Sequence, residues 1–412
     1  MKRRVVITGL GCVSPLGPDV ASLWRCLVCG QSGIGPISRF DTSTFEVKLA
    51  AEVKEPVVGF SEHASFFTED VKVLFALEAC RQALVDSGLC RLGSSALLHL
   101  GTSLETLDLG KVVYEGRTDF ASVADRLCRP GARPLQVPLD TAAELIQERW
   151  GTANVALTNV SACAASTQAI GHAFRRVRDG SCELAVCGGF DSMINPLGVG
   201  GFQLLGALAT GLAQGPLSCR PFDSSRSGTV LGEGAAILVL ETLESARKRR
   251  ARVYGEILGH ASSLDAYKVS APDPSGAGAR LAMLAALDDA GLPAAKVDAV
   301  SAHGTGTYLN DEVEAAALRQ VLGPRWQTTP VIATKALVGH LIGAAGAIEV
   351  AAALQAFAQS ALHPNPSLSR VASGCELDHV TGAPRPFDGD VILKNSFGFG
   401  GQNASLVLKR TR

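Results

Sequence analysis

The sequence of 412 residues has few aromatic and few charged side chains. Phe, Trp and Tyr together make up 5% of it, Asp, Glu, Lys and Arg make up 19%, and the formal net charge is −1. A nearly neutral chain has no general electrostatic attraction for nucleic acid or for an anionic membrane surface, so neither is expected as a partner. Apolar residues make up 47% of the chain, which predicts a large core. No uninterrupted apolar run of about 18 residues occurs, so no membrane-spanning helix is expected.

The sequence also lacks a disulfide framework, a metal motif and a nucleotide motif. Its 11 cysteines are odd in number and scattered, which favours reduced thiols and a cytoplasmic location. Cys26 and Cys29 form the single CxxC pair, without a second pair or a histidine at ligand spacing, so we interpret them as thiols on a helix face. Neither GxxxxGK[ST] nor a GxGxxG after the first strand is present. We therefore expect no cofactor and no metal.

Glycine is abundant instead, with 44 residues, and short apolar strands alternate with alanine-rich helices. This alternation predicts a layered α/β fold. The strands are expected in two series, at residues 4–8, 97–102, 155–160, 184–188 and 236–240, and at residues 252–260, 297–303, 331–334, 391–395 and 404–408. Each series ends with a glycine-rich turn that leads into a buried last strand. The repeated ending indicates an internal duplication.

The boundary between the two halves is expected near residues 241–253, which gives an N-terminal half, 1–250, and a C-terminal half, 251–412. The basic segment 242–252 is interpreted as the solvated end of a linking helix rather than as a nucleic-acid patch. Residues 102–140 are irregular and contain three prolines, so a cap or an interface excursion from the first half is expected there.

One cysteine lies among small residues, in the stretch N-V-S-A-C-A-A-S-T-Q-A-I-G-H at 159–172. The apolar residues before it predict a buried strand, and the spacing of Ile170, Phe174 and Val177 after it predicts an amphipathic helix. Cys163 would then lie at a helix N-terminus, where free backbone N–H groups and the positive end of the helix dipole are expected to lower the thiol pKa. The alternative is that Cys163 is an inert, buried small side chain.

Two of the eight histidines lie in motifs of small residues. His303 is in S-A-H-G-T-G-T at 301–307, and His340 is in T-K-A-L-V-G-H-L-I-G-A-A-G at 334–346. Taken singly, each is as readily a core histidine, and Lys335 a residue that caps a strand. Each candidate, however, follows a predicted strand at its carboxyl end, which is where α/β sheets form sites. A thiol, two imidazoles and a lysine in one pocket imply acyl transfer.

Together with further motifs, these residues make the chain resemble a β-ketoacyl-acyl carrier protein synthase of the elongating type II group, in the thiolase superfamily. The motifs follow one another in the family's order: V-V-I-T-G-L-G at 5, S-A-C-A-A-S at 161, P-L-G-V-G-G-F at 196, R-P-F-D-S-S-R-S-G-T-V-L-G-E-G-A at 220, A-H-G-T-G-T at 302, T-K-A-L-V-G-H-L-I-G-A-A-G at 334 and N-S-F-G-F-G-G-Q-N at 395. The resemblance implies a thiolase-like fold, in which two βαβαβαββ halves form a five-layer αβαβα sandwich. The first half would carry the cysteine and the second the two histidines.

The resemblance also implies an activity, that of a 3-oxoacyl-acyl carrier protein synthase. An acyl group held as a thioester on Cys163 would be condensed with malonyl-acyl carrier protein, with loss of carbon dioxide, in fatty acid or polyketide elongation. The substrates would be carried on the phosphopantetheine of the carrier protein, and no other cofactor is implied. His303 and His340 would assist decarboxylation and stabilise the enolate, while Lys335 would order the site.

Further roles follow from the same resemblance. Glu349 and Asp311 would be supporting acids, and the backbone N–H groups of Cys163 and Phe399 would form an oxyanion hole. The substrate-binding residues implied are Thr305, Thr307 and Ser270 for the pantetheine arm, and Phe202, Phe399, Gly398 and Gly400 for the acyl pocket and its gate.

The partners implied are an acyl carrier protein and a second ketosynthase chain. The second chain would be an identical copy or, in the alternative, a chain-length-factor relative, with this chain as the catalytic subunit of a specialised type II polyketide-like heterodimer. Residues 61–70 lack the basic side chains with which this family docks its acidic carrier protein, and Lys72 is the lysine nearby. A purely structural subunit is disfavoured because Cys163, His303 and His340 are all present. A degradative thiolase is disfavoured because N-S-F-G-F-G-G has no second cysteine.

Overall fold

The computed structural model describes residues 3–55, 57, 59–63, 70–105, 113–114, 117–118, 136–151, 153–210 and 212–411. Within these ranges, the strands of the two half-sheets are β1 Val5–Val13, β2 Leu97–Thr102, β3 Val155–Val160, β4 Leu184–Ser192, β5 Glu233–Thr242, β6 Gly255–Leu264, β7 Ala299–Ser301, β8 Pro330–Ile332, β9 Val391–Gly398 and β10 Gln402–Lys409. The helices are α1 Val20–Val28, α2 Val71–Asp86, α3 Thr141–Trp150, α4 Ala165–Arg178, α5 Pro196–Leu204, α6 Leu243–Lys248, α7 Ala277–Asp289, α8 Tyr308–Leu322, α9 Lys335–Val338 and α10 Ala345–Gln359. Short strands pair Ile34–Pro36 with Leu49–Ala51, Val113–Tyr114 with Arg117–Thr118, and Ala361–Leu362 with Arg385–Pro386.

The two halves of the sheet have the same strand order. The first half runs β3-β2-β4-β5-β1 and the second runs β8-β7-β9-β10-β6, with the two-residue strand Asp378–His379 added beside β8. In both halves the first three strands pair in parallel, and the fourth strand pairs antiparallel with the strand on each side of it. A short antiparallel pairing of β1 with β6 joins them. The predicted duplication is therefore present in the topology.

The helices form three layers around the two half-sheets. The central layer consists of α4 and α10, which pack against each other and contact strands of both halves. Helices α2 and α3 cover the outer face of the first half-sheet, and α7 and α8 cover that of the second. The predicted βαβαβαββ halves and the five-layer αβαβα sandwich are confirmed.

Small residues let the two central helices lie so close together. A Cβ atom on Gly346 of α10 would stand 2.1 Å from Oγ1 of Thr167 on α4. The stretch Ile342–Gln359 is by length and composition apolar enough to cross a membrane, yet 89% of it is buried inside the protein. A core helix between two sheets meets the same criterion, and we interpret it as one. Its alanine- and glycine-rich composition follows from its place in the middle layer.

Strand β3 differs from the prediction. It was expected to be buried, but its side chains are half exposed, and Val160 is 49% exposed. The reason is its position, because β3 is the outermost strand of the first half-sheet and only β2 pairs with it in the described structure. A short apolar run in the sequence does not distinguish a strand at the edge of a sheet from a strand at its centre, so the burial of β3 was overestimated.

Two further expectations concern less regular parts of the chain. The predicted excursion at 102–140 lies mostly outside the described residues. The basic segment after β5 is partly structural, because Arg249 forms an ion pair with the buried Glu241 and donates to the Ser87 carbonyl. The ten cysteines that the structure describes are all free thiols, as expected for a reduced chain.

Candidate active site

The chain places Cys163 in a tight turn between β3 and α4. The turn is one 3₁₀ turn, Ala162–Ala164, and Ala162 adopts φ 48°, a left-handed value that costs a non-glycine residue about 1–3 kcal/mol. The second half repeats the turn at Ile342–Ala344 before α10, where Ile342 has φ 42°. The two turns are in contact, and Gly343 holds the position that corresponds to Cys163. The duplication thus brings both strained turns to one point at the middle of the sandwich.

His340 lies beside the sulfur of Cys163. Its Nε2 is 3.1 Å from Sγ, and the backbone N–H of Ile342 donates to its Nδ1 over 3.1 Å. Because a backbone N–H can only donate, Nδ1 carries no proton and Nε2 carries it. Burial, reinforced by the charge of Lys335, holds the pKa of His340 well below its ordinary value. His340 is therefore a neutral imidazole that donates toward the sulfur.

His303 has the same tautomer for a different reason. Its Nδ1 lies 3.1 Å from Nζ of Lys335, which also donates to the His303 carbonyl over 2.6 Å. An ammonium group has only donors, so Nδ1 accepts and Nε2–H faces the cavity. Burial and the charge of Lys335 hold the pKa of His303 well below its ordinary value. The rings of His303 and His340 are 5.4 Å apart between centroids, and one nitrogen of each ring lies within 4.8 Å of the other and of the Cys163 sulfur.

The pKa of the Cys163 thiol does not fall as the helix-end argument predicted. Burial raises it to about 11, and this outweighs the charge of Lys335 and the N–H groups of Phe399 and Cys163, which lower it. The prediction was wrong because it counted the helix N-terminus and left out the loss of water around a side chain that is only 5% exposed. The resting group is a neutral thiol, and its anion forms only with the help of the donors around it.

The loop after β9 completes the surroundings of the sulfur. The N–H of Phe399 hydrogen-bonds to Cys163, so the predicted oxyanion-hole pair lies together. A Cβ atom on Gly398 would stand 3.0 Å from the backbone nitrogen of Cys163, which explains why this position has no side chain. Gly400 has φ 76°, a value open to glycine, where the chain turns back into β10. The ring of Phe399 lies 5.9 Å from the ring of Phe202, so the two aromatic residues predicted for the acyl pocket and its gate are neighbours.

A cavity of about 280 Å³ connects this centre to the surface. Its lining includes Cys163, His303 and His340, together with the residues predicted for the pantetheine arm, Ser270, Thr305 and Thr307. The hydroxyl groups of Thr305 and Thr307 are 2.9 Å apart. The sequence-predicted binding residues are therefore brought to one channel.

The two predicted supporting acids have different positions. Glu349 is buried on α10 and forms an ion pair with Lys335. Asp311 lies outside the cavity wall, and its carboxylate accepts backbone N–H groups of Thr305, at 3.0 Å, and of Phe222, at 2.7 Å. Asp311 thus shapes the loop that carries the threonines and does not face the substrate space.

Sequence reasoning missed two buried charged residues. Glu314 accepts the backbone N–H groups of His303 and Gly304, each over 2.8 Å, and burial raises its pKa to about 7. Lys394 lies 3.0 Å from the second carboxylate oxygen of Glu349. The spacing of Asp311 and Glu314, three residues apart on one helix face, was a usable signal for the first.

Cys163, His303 and His340 also have the donor types of a zinc site, with their ligand atoms within 4.8 Å of one another. The tautomers argue against it, because both imidazoles present Nε2–H to the shared space and Ile342 N–H occupies Nδ1 of His340. A metal would need that proton removed. We keep the prediction that no metal is held here.

Fold and site together indicate an acyl-transfer enzyme. Comparison with known proteins agrees. The family model "Beta-ketoacyl synthase, N-terminal domain" matches residues 2–246, and "Beta-ketoacyl synthase, C-terminal domain" matches residues 254–369. The chain is 38% identical over 417 residues to the 3-oxoacyl-[acyl-carrier-protein] synthase 2 of Coxiella burnetii, with 99% of each chain covered.

Two solved structures are similar over the full length of both chains. One is the ishigamide ketosynthase/chain length factor, with a TM-score of 0.86 and 32% identity at 100% coverage of each chain. The other is the AntDE:AntF complex, a type II polyketide synthase acyl-carrier protein with its ketosynthase, with a TM-score of 0.85 and 27% identity at the same coverage. The chain belongs to the β-ketoacyl synthase family.

The contact between His340 and Cys163 predicts how readily the sulfur reacts. Replacing His340 by Ala should slow alkylation of Cys163 by iodoacetamide at pH 7 by about tenfold or more, because a hydrogen bond to a charged group contributes about 1.5–3 kcal/mol. In the unchanged protein the rate should rise with pH up to at least pH 10, since the thiol pKa is about 11.

Peptide mapping by mass spectrometry would measure the alkylation of Cys163 separately from that of the other cysteines. The matched control is His63→Ala, a substitution remote from the site. An unchanged rate in His340→Ala would show that His340 does not stabilise the thiolate.

Proposed function

We propose that the protein is a 3-oxoacyl-acyl carrier protein synthase that elongates an acyl chain by decarboxylative condensation. The observation that carries the proposal is the convergence of two neutral imidazole N–H donors, from His303 and His340, on the cavity beside Cys163. Neutral N–H donors can stabilise the negative charge that develops on a substrate oxygen during decarboxylation and that disappears when the carbon–carbon bond forms.

The first half-reaction would load the enzyme. The thiolate of Cys163 attacks the carbonyl carbon of an acyl thioester, and the N–H groups of Cys163 and Phe399 donate to the resulting oxyanion. The C–S bond to the carrier's pantetheine then breaks, and its sulfur takes the proton that Cys163 gave up. The acyl chain would occupy the apolar side behind the rings of Phe202 and Phe399.

The second half-reaction would form the carbon–carbon bond. A malonyl thioester loses its carboxylate as carbon dioxide, and the enolate oxygen left behind accepts hydrogen bonds from Nε2–H of His303 and His340. The enolate carbon attacks the acyl carbonyl, and the C–S bond to Cys163 breaks to return the sulfur as a thiolate. Electrons balance without an oxidant or reductant, so the substrates' own pantetheine is the one prosthetic group that we propose.

An acyl carrier protein is the partner that this chemistry needs, and the similar AntDE:AntF structure is described as a ketosynthase bound to one. Lys72, the lysine left near the family's docking segment, is buried and paired with Asp70, so it offers no docking charge. The cavity mouth instead exposes three apolar side chains that line it, namely Leu205, Tyr308 and Leu309. We propose that the carrier protein docks against this apolar rim, because its arm must enter there.

A second ketosynthase chain is proposed at the free edge of β3. This strand ends directly before the catalytic turn, and its outer side is unpaired in the described structure. Unpaired edges of this kind are avoided in stable monomers. We propose a homodimer. A heterodimer with a chain-length-factor relative is the second candidate, and the similarity to the ishigamide ketosynthase/chain length factor supports it.

We also propose a cytoplasmic location, because the cysteines that the structure describes are free thiols.

Loading and condensation should separate in two variants. Incubation with acyl-carrier protein should add the mass of one acyl group to the protein, and Cys163→Ala should add none. His303→Ala should still load but should form product about 100- to 1000-fold more slowly, since one lost oxyanion donor has that effect. Intact mass spectrometry of the enzyme and product assays with malonyl-carrier protein would measure the two steps. Loading of Cys163→Ala would contradict the assignment of the nucleophile.

Docking at the apolar rim predicts a change that depends on the carrier. Leu309→Asp should raise KM for malonyl-carrier protein by about tenfold, because it removes an apolar contact at the mouth of the cavity. KM for malonyl-pantetheine, which has no protein to dock, should stay the same. Leu281, 59% exposed on α7 against 56% for Leu309, provides the control Leu281→Asp. An equal effect on both substrates would place Leu309 in arm binding and not in docking.

The oligomeric state follows from the edge of β3. The chain expressed alone should have about twice the monomer mass of 42.8 kDa by light scattering. Val160→Glu should convert it to monomer because it places a charge at the carboxyl end of the strand proposed to pair. Val85→Glu, on the exposed side of α2, should leave the mass unchanged. A monomeric and inactive chain that regains activity with a cysteine-less relative would favour the heterodimer.

A further inference from the structure

Lys394 is a buried ammonium group that the proposed mechanism does not use. It lies on β9 with its side chain 0% exposed, under the central helices α4 and α10. Its Nζ is 3.0 Å from Oε2 of Glu349 and 2.8 Å from Oγ1 of Thr167, and it also donates to Oγ of Ser396. A charge so deeply buried persists only with partners like these.

One carboxylate connects Lys394 to the catalytic imidazoles. Oε1 of Glu349 binds Lys335, while Oε2 binds Lys394. Lys335 in turn lies 3.1 Å from Nδ1 of His303. Each step from Lys394 to His303 is therefore a single direct contact between side chains that are at most 2% exposed.

The hydroxyl partners of Lys394 lead to the other side of the site. Thr167 is on α4, one helical turn after Cys163, and Ser396 is on β9, three residues before Phe399. Their hydroxyl oxygens are 2.9 Å apart. Lys394 thus joins the helix that carries the nucleophile, the strand that leads to the gate, and the carboxylate that holds Lys335.

We propose that Lys394 is a positioning residue for condensation, because its ammonium fixes Glu349 so that Lys335 keeps His303 with Nε2–H directed into the cavity. The inference rests on the proposed function and extends it to a residue that does not touch substrate. Without the ammonium, Oε2 of Glu349 loses its partner, and the carboxylate is free to turn away from Lys335.

The charges around Lys394 give the proposal a pH dependence. The pKa of Lys394 is lowered to about 8, because burial and the charge of Lys335 outweigh the charges of Glu349 and Glu314, which raise it. Helix α4 faces it with the uncharged Thr167, and His303 stays neutral throughout. The ammonium is therefore present below about pH 8 and is lost above it, so condensation should decline on the alkaline side. Glu314, with a pKa of about 7, titrates separately on the acid side.

The test is Lys394→Met, which keeps the length of the side chain and removes its charge. We expect kcat for condensation to fall about tenfold or more, KM for malonyl-carrier protein to stay within about twofold, and acyl loading of Cys163 to persist. The decline above about pH 8 should be seen in the unchanged enzyme and be absent in the variant. Lys409→Met, on the neighbouring strand β10, is the matched control and should retain the decline.

If Lys394→Met does not fold, the milder variant Ser396→Ala tests the role of Lys394. Ser396→Ala removes one acceptor of the ammonium, so the alkaline decline should move to lower pH. A wild-type rate and profile in Lys394→Met would overturn the inference, as would an unmoved decline in Ser396→Ala. If the unchanged enzyme neither loads an acyl group nor condenses it, the proposed function itself is contradicted. If the unchanged enzyme is active and Lys394→Met behaves like it, only the role of Lys394 is contradicted.

Discussion

Removal of water from the reacting groups is the constraint on which the rest of the site depends. Cys163, His303, His340 and Lys335 are all buried, and burial decides the protonation state of the thiol and of the two imidazoles. It keeps the imidazoles neutral, so they act as donors, and it keeps the thiol protonated until donors stabilise its anion. It also means that Lys335 needs Glu349, because an unpaired ammonium would be too costly at this depth.

This degree of burial is possible because two helices of small residues fill the space between the half-sheets. Larger side chains at positions such as Gly346 would push α4 away from α10 and open the centre to water. The same closeness brings the strained turns at Ala162 and Ile342 into contact. The local strain is sustained because the packed layers on both sides determine the path of the chain.

The sequence predicted the fold well, since the alternation of strands and helices and the shared endings of the two series are local patterns. It also predicted which residues meet at the site, because each follows a strand of the sheet. It did not predict the high thiol pKa, because the helix-end argument considers one turn of chain and the pKa depends on burial by distant elements. Lys394 was missed because its partner Glu349 is 45 positions away (394 − 349) and on another element. The exposure of β3 was not predicted, because whether a strand lies at the edge of a sheet depends on how the whole sheet assembles.

The duplication has unequal results in the two halves. The turn of the first half carries the sulfur, whereas the corresponding Gly343 has no side chain and uses its N–H to bind Asp191 over 2.7 Å. The second half supplies the imidazoles, the lysine and the gate instead. Neither half therefore holds a working set of groups, although each has the topology of a complete unit. Either half alone would therefore have an incomplete site, because the first has the sulfur without the imidazoles and the second has the imidazoles without the sulfur.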